Sequence, residues 1–278
     1  MMALSGQGRR VHGVGWLLLA LAVLILLGLV IVPLVSVFSM AFAKGLAPFF
    51  EAVQHPDTLS AIKLTLITAA VSVPLNTVFG VTAAWAITKF EFRGKALLIS
   101  LIDLPFSVSP VVAGLLFVLL FGSRGLAGPF LSEHDLHIVY ATPGVIIATV
   151  FITFPFVARE LIPLMQAQGA EEELAAITLG AGGLSTFWRV TLPNIKWGIL
   201  YGVVLCTARA MGEFGAVSVV SGHVRGMTNT LPLHVEILYN EYDQVGAFSV
   251  ASLLTLVSLI ALVIKKVVER QGVAGGRV

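Results

Sequence analysis

Charge is what this chain has least of. Lys, Arg, Asp and Glu make up 12% of its 278 residues, about half the share of roughly 25% found in an average soluble domain. So few polar side chains cannot cover a water-soluble globule of this length, and a soluble enzyme or binding domain is excluded. No run of Lys and Arg marks a nucleic-acid surface. The only cysteine, Cys206, has no partner for an intrachain disulfide and lies in an apolar stretch, where it is expected to be a small packing residue. A phosphate-binding Gly-x-x-x-x-Gly-Lys-Ser/Thr loop is missing too. Gly94-Lys95 lacks both the upstream glycine and the following hydroxyl, so nucleotide chemistry has to reside elsewhere. His134, His137, His223 and His234 lack metal-ligand spacing and are expected to be solvated in loops. No repeat links the two halves of the chain, as an inverted-repeat secondary carrier would require.

What remains is apolar, at 57% of the residues, and it is concentrated in blocks. A bilayer core needs roughly 20 apolar residues in a helix. The blocks at 16–42, 63–88, 96–121, 139–165, 197–221 and 245–264 meet that length. They are too continuous for barrel strands, which alternate at every second residue. Pro33, Pro74, Pro105, Pro110, Pro143 and Pro155 fall inside them. In a packed bundle, neighbouring helices satisfy the carbonyls that proline frees, so these residues predict bends. The first block is too long for a signal-peptide core and is expected to be a retained span.

Lys and Arg set the orientation. With a cytoplasmic N-terminus, the inner segments hold Arg9, Arg10, Lys89, Arg93, Lys95, Arg159, Arg189, Lys196, Lys265, Lys266, Arg270 and Arg277, which is 12 of the 17. The outer loops hold Lys44, Lys63, Arg124 and Arg225, and Arg209 lies within a span. The sequence therefore predicts a multi-pass protein of the bacterial inner membrane, in contact with lipid and not nucleic acid, with both termini cytoplasmic.

Between the fourth and fifth blocks, about 30 residues are too polar to cross a membrane and too apolar to be disordered. Glu171-Glu172-Glu173 places acids at a helix start, where the macrodipole favours them. Leu174 to Leu179 continue the helix and Gly180 offers its stop. Ser185 or Thr186 is placed to cap a second short helix that presents Phe187 and Trp188 and ends at Leu192-Pro193. A cytoplasmic helix–turn–helix with exposed aromatics needs a partner surface.

This loop resembles the coupling loop of ATP-binding-cassette importer permeases, in which Glu-Ala-Ala is followed after three residues by Gly and later by Ile-x-Leu-Pro. Ala175-Ala176, Gly180, Val190 and Leu192-Pro193 keep that spacing. Leu174 stands where the glutamate is expected, with Glu173 one position earlier. The segments 106–115, 155–161 and 212–222 look like the W-type permease subunit of bacterial sulfate/thiosulfate importers, over nearly the whole chain. Gly212-Glu213-Phe214-Gly215-Ala216 is shared with molybdate and tungstate permeases, which remain the alternative. The resemblance implies an all-α type I importer permease of six spans. It divides the chain into residues 1–57 (N-terminus, first span, outer loop), a permease core at 58–269 and a cytoplasmic tail at 270–278. It also implies a T-type second permease, two ATPase subunits and a periplasmic sulfate/thiosulfate-binding protein as partners. The chain itself would be non-catalytic, with ATP and Mg held by the ATPases and no cofactor of its own. Glu173, Ala175, Ala176, Gly180, Ala181, Leu192 and Pro193 would form the ATPase-coupling site.

Asp103, Arg209 and Glu213 are expected inside spans, where a lipid-facing charge costs about 2.5–3.5 kcal/mol. Arg209 and Glu213, four residues apart, can meet on one helix face, with Asp103 as a cap or second partner. Two roles stay open for the three residues: a border of the anion route, or a clamp between the third and fifth spans.

Overall fold

The structure, a computed structural model, describes residues 13–274. Arg9, Arg10, Arg277 and residues 275–278 of the proposed tail lie outside the described residues. The described chain is helical: α1 (Gly13–Ala41), α2 (Leu46–Gln54), α3 (Pro56–Lys89), α4 (Lys95–Ser107), α5 (Pro110–Phe121), α6 (Gly128–Glu133), α7 (Thr142–Thr153), α8 (Pro155–Gln168), α9 (Glu171–Thr178), α10 (Gly183–Thr186), α11 (Leu192–Met211), α12 (Gly215–Val220), α13 (Leu231–Asn240) and α14 (Gln244–Ala274). Among the described residues, five stretches are long and apolar enough to span a bilayer, namely Gly15–Ala41, Pro56–Lys89, Thr142–Gln168, Gly183–Met211 and Gln244–Arg270.

Two of the expected spans are broken. The block at 96–121 is two helices, α4 and α5, meeting at 108°. Proline lacks an N–H and disfavours helical geometry in the residue before it. Ser109 accordingly takes ψ 133° and Pro110 opens a new helix. The block at 197–221 is also interrupted, because α11 stops at Met211 and the chain leaves helical geometry until Gly215 starts α12. By contrast α3 begins seven residues before the expected 63, with Pro56 as its first residue and the His55 ring accepting the Asp57 amide at 3.3 Å.

The core lies where α3, α8 and α11 cross. Ala69, Val73, Val81, Ala84, Val157, Leu161, Met165, Ile195, Cys206 and Ala210 are buried together there. Small residues let the backbones approach: a Cβ on Gly80 would sit 2.6 Å from Val157 Cβ, and one on Gly202 3.1 Å from Val157 Cα. Asn76 ties three helices at this depth, donating to Thr153 Oγ1 at 2.8 Å and Val150 O at 3.2 Å and lying 3.9 Å from Cys206 Sγ. Cys206 is buried, as its expected packing role requires. The two short helices left by the span breaks pack on each other: a Cβ on Gly114 of α5 would meet Ala216 O and Val219 Cβ of α12 at 2.8 Å.

At the end of α3 away from Lys89, α13 covers the start of that helix. His234, expected to be solvated, is 1% exposed. Its ring lies 3.0 Å from Thr58 Oγ1 and 3.4 Å from Asn229 Nδ2.

Candidate coupling loop and intramembrane charges

Glu171, Glu172 and Glu173 form the first turn of α9. The helix ends in a Schellman arrangement. Gly180 adopts φ +92°, the Ala181 amide donates to Ala176 O at 3.0 Å and the Gly180 amide to Ile177 O at 2.9 Å. Gly180 is therefore the helix stop the sequence predicts, and the Ala181–Ala176 backbone bond closes the turn around it.

The second half of the hairpin departs from expectation. Its helix starts at Gly183, capped by the Gly182 backbone, so neither Ser185 nor Thr186 caps it. It does not end at Leu192-Pro193 either. A π-turn over Phe187–Thr191 carries it into α11, with the Leu192 amide reaching back to Phe187 O. The π-turn absorbs the proline within a continuous Gly183–Met211 rod. Phe187 is also not exposed: its ring packs 4.8 Å from Trp85 and joins the α3–α8–α11 core.

Glu173 points inward, toward the bundle. Lys89 at the end of α3 lies 2.8 Å from Glu173 Oε1, both side chains being largely buried. Thr191 Oγ1 donates to the same oxygen at 3.2 Å. Lys89 also donates to Gly169 O, and Asn194 donates to Glu172. The acids thus strap α9 to the ends of α3 and α11, and within this chain the Glu173 carboxylate is engaged by Lys89 and Thr191. Lys89, Thr191 and Asn194 are site residues the sequence alone does not reveal, because nothing in the linear sequence joins Lys89 to a loop some 80 residues later. On the outer side of the hairpin, Leu174, Ile177, Leu179, Leu184 and Trp188 are all more than half exposed. Ala175 is exposed among them, whereas Leu192 and Pro193 are half-buried at the foot of α11.

Inside the spans, Arg209 and Glu213 meet as expected, at 2.7 Å, although they do not share a helix. Glu213 sits in the break after α11, and its Oε1 accepts the Ala216 amide of α12 at 3.0 Å. Its side chain is 1% exposed and that of Arg209 34%. Asp103 is not part of this pair. Its partner is Arg159 of α8, with Nε 3.4 Å from Oδ1, and Arg159 lies 4.9 Å over the Phe106 ring. Arg159, counted above among the inner charges, lies inside the span Thr142–Gln168. No span-three to span-five clamp through Asp103 exists among the described residues.

Broken spans around a tight three-helix core, with an ordered hairpin at one end, define a permease of the ATP-binding-cassette importer type. A solved bacterial alginate ABC transporter, crystallised with an alginate pentasaccharide-bound periplasmic protein, has a chain of this fold. It superposes with a TM-score of 0.73 at 20% identity, covering 92% of this chain and 94% of its own. The family described as binding-protein-dependent transport system inner membrane component matches residues 76–271. The sulfate transport system permease protein CysW of Escherichia coli (strain K12) is 50% identical over 263 residues, spanning 95% of this chain and 90% of its own. The corresponding protein CysT of Salmonella typhimurium is 35% identical over 262 residues, 94% of either chain. The chain belongs to the inner-membrane components of binding-protein-dependent transport systems, in the branch that contains the CysW permease proteins.

Proposed function

We propose that this chain is a membrane-spanning subunit of an ATP-driven sulfate importer that also accepts thiosulfate. It lines the route together with a second permease of the T type. Two ATPase subunits hold ATP and Mg, and a periplasmic binding protein delivers the anion. The carrying observation is the hairpin α9–α10. Its inner face is strapped to α3 and α11 by Glu173, Lys89, Thr191 and Asn194, while its outer face presents Leu174, Ile177, Leu184 and Trp188. An exposed apolar patch of that kind on an ordered support marks a protein–protein contact. A movement of the ATPases against it is passed directly to two spans of the core. The similarity to sulfate permeases named CysW and CysT supports both the substrate and the pairing of two different permeases. Both termini face the cytoplasm in this reading, on the side of the hairpin.

The test is purification of the chain with its associated proteins and reconstitution in liposomes. An ATPase pair and a second permease should co-purify, and labelled sulfate should enter only with ATP and the binding protein. Uptake inhibited by molybdate or tungstate and indifferent to thiosulfate would replace the substrate assignment. Uptake without ATP would remove the importer class. A cysteine at Arg225 should react with impermeant reagent from the periplasm and one at Lys95 should not; equal reactivity refutes the orientation.

A further inference from the structure

We infer that Arg159, and not Arg209, is the cation that the transported oxyanion meets along this chain, with Asp103 as the counter-ion that holds the guanidinium between passages. The inference rests on the reading of the chain as an anion importer.

Depth is the first consideration. Arg159 lies nine residues before the end of the span Thr142–Gln168, which at 1.5 Å per residue is about 13 Å inside it. Its side chain is nevertheless 54% exposed on this chain, and that of Asp103 44%. Two half-exposed charges at this depth would each cost about 2.5–3.5 kcal/mol against hydrocarbon. Such residues face water or protein, so the α4–α8 surface that carries them is turned away from lipid.

The second consideration is how each arginine is engaged. Arg209 is committed: it lies 2.7 Å from a carboxylate that is 1% exposed, and that carboxylate also caps α12. Drawing Arg209 toward a passing anion would strand a buried charge. Arg159 is held loosely. Its one ion pair among the described residues is through Nε at 3.4 Å, longer than the 2.7–2.9 Å of a strong charge-assisted hydrogen bond. The terminal nitrogens of its guanidinium donate no hydrogen bond among the described residues. Phe106 supports the flat face of the group and is itself braced by Phe156 at 5.4 Å. A stacked guanidinium presents its edge, and that edge carries the donors that match a tetrahedral oxyanion. Asp103 lowers the local positive charge, so the site attracts a dianion without trapping it.

The experiment uses the assembled complex of this chain with its second permease and ATPases. In a Cys206→Ala background, Arg159→Cys is exposed to the impermeant anion sulfonatoethyl methanethiosulfonate, with and without sulfate, in each nucleotide state. Modification in at least one state, slowed by sulfate, is expected. Uptake is measured beside it. Arg159→Gln should assemble and lose about tenfold or more of uptake at low sulfate, the loss of one charge-assisted hydrogen bond, while Arg159→Lys should retain most of it. No modification in any state, parental uptake by Arg159→Gln, or loss of assembly in both Arg159→Gln and Arg159→Lys would each overturn the inference. The last outcome would make Arg159 part of the contact with the second permease. Failure of the parent complex to move sulfate would count against the importer reading instead, since thiol accessibility still reports whether Arg159 borders water.

Discussion

Arg209 and Glu213 form a pair whose two members should not be equally costly to lose. Arg209→Gln leaves the Glu213 carboxylate, 1% exposed, without its counter-charge and with the Ala216 amide as its donor. Removing one partner of a buried pair typically costs about 3–5 kcal/mol, because the charge left behind stays desolvated. Glu213→Gln keeps an oxygen for the Ala216 amide, and the Arg209 that it releases is one-third exposed. That side chain can turn toward water, so the loss falls near the upper end of exposed pairs, about 1 kcal/mol. The double variant removes both charges and should lie close to Glu213→Gln. Thermal stability of the detergent-solubilised complex, followed by size-exclusion chromatography after heating, and the yield of assembled complex give the order. The expected ranking is parent, then Glu213→Gln and the double variant together, then Arg209→Gln well below. Glu213→Gln as damaging as Arg209→Gln, or a double variant no better than the worse single one, would refute the burial argument.

Lys89→Met should strand Glu173 against Thr191, destabilise the hairpin by about 1–3 kcal/mol, between exposed and buried pairs, and lower sulfate moved per ATP hydrolysed. The exchange Lys89→Glu with Glu173→Lys should restore part of that ratio, and parental coupling in both single variants would remove the strap from the mechanism. Gly180→Val forces a branched side chain into φ +92°, at about 1–2 kcal/mol. The variant should insert normally yet bind or stimulate the ATPases poorly, and normal transport would exclude the hairpin from coupling. Burial holds the His234 pKa below its ordinary value, opposed by the Asp57 charge. The unfolded chain then binds the proton more readily than the folded one, so the His234 contribution is intact above about pH 6.5 and is lost as pH falls below it. Melting curves across that range should show a decline that is absent in His234→Gln, and identical curves would refute the assignment.

The positions of the apolar crossings were legible in the sequence because hydropathy is local: a helix in lipid satisfies its own backbone, and its composition suffices to reveal it. Gly180 was legible for the same reason, since a glycine ending an acid-started helix needs no distant partner. Everything that depends on a second segment was not. Glu173 reads as an outward-facing acid until Lys89 is brought to it from the end of α3. Phe187 reads as exposed until Trp85 covers it. Asp103 invites pairing with the other intramembrane charges, and only the packing of α4 on α8 delivers it to Arg159. His234 looked like a loop residue because α13 is too short and polar to register as a span.

The span breaks were missed for a different reason. A hydropathy window rewards 96–121 and 197–221 as if they were straight, although Ser109-Pro110 and Gly212 mark the interruptions. Non-helical backbone at membrane depth survives only where protein or water satisfies it, and each break here carries its own remedy. Pro110 brings no amide to satisfy, and α5 starts from it. Glu213 supplies the acceptor that α12 lacks at its first turn, and Arg209 supplies the charge that lets a carboxylate stay buried there. The two breaks also adjoin: a Cβ on Gly215 would lie 2.9 Å from Pro110 Cβ. A glycine at 215 is therefore required by the neighbouring break as much as by its own helix. The Gly-Glu-Phe-Gly stretch is in this light first a structural device: one residue ends the span, one caps and neutralises, and one makes room for Pro110. The loosely held guanidinium on α8, outside both breaks, takes part in neither device.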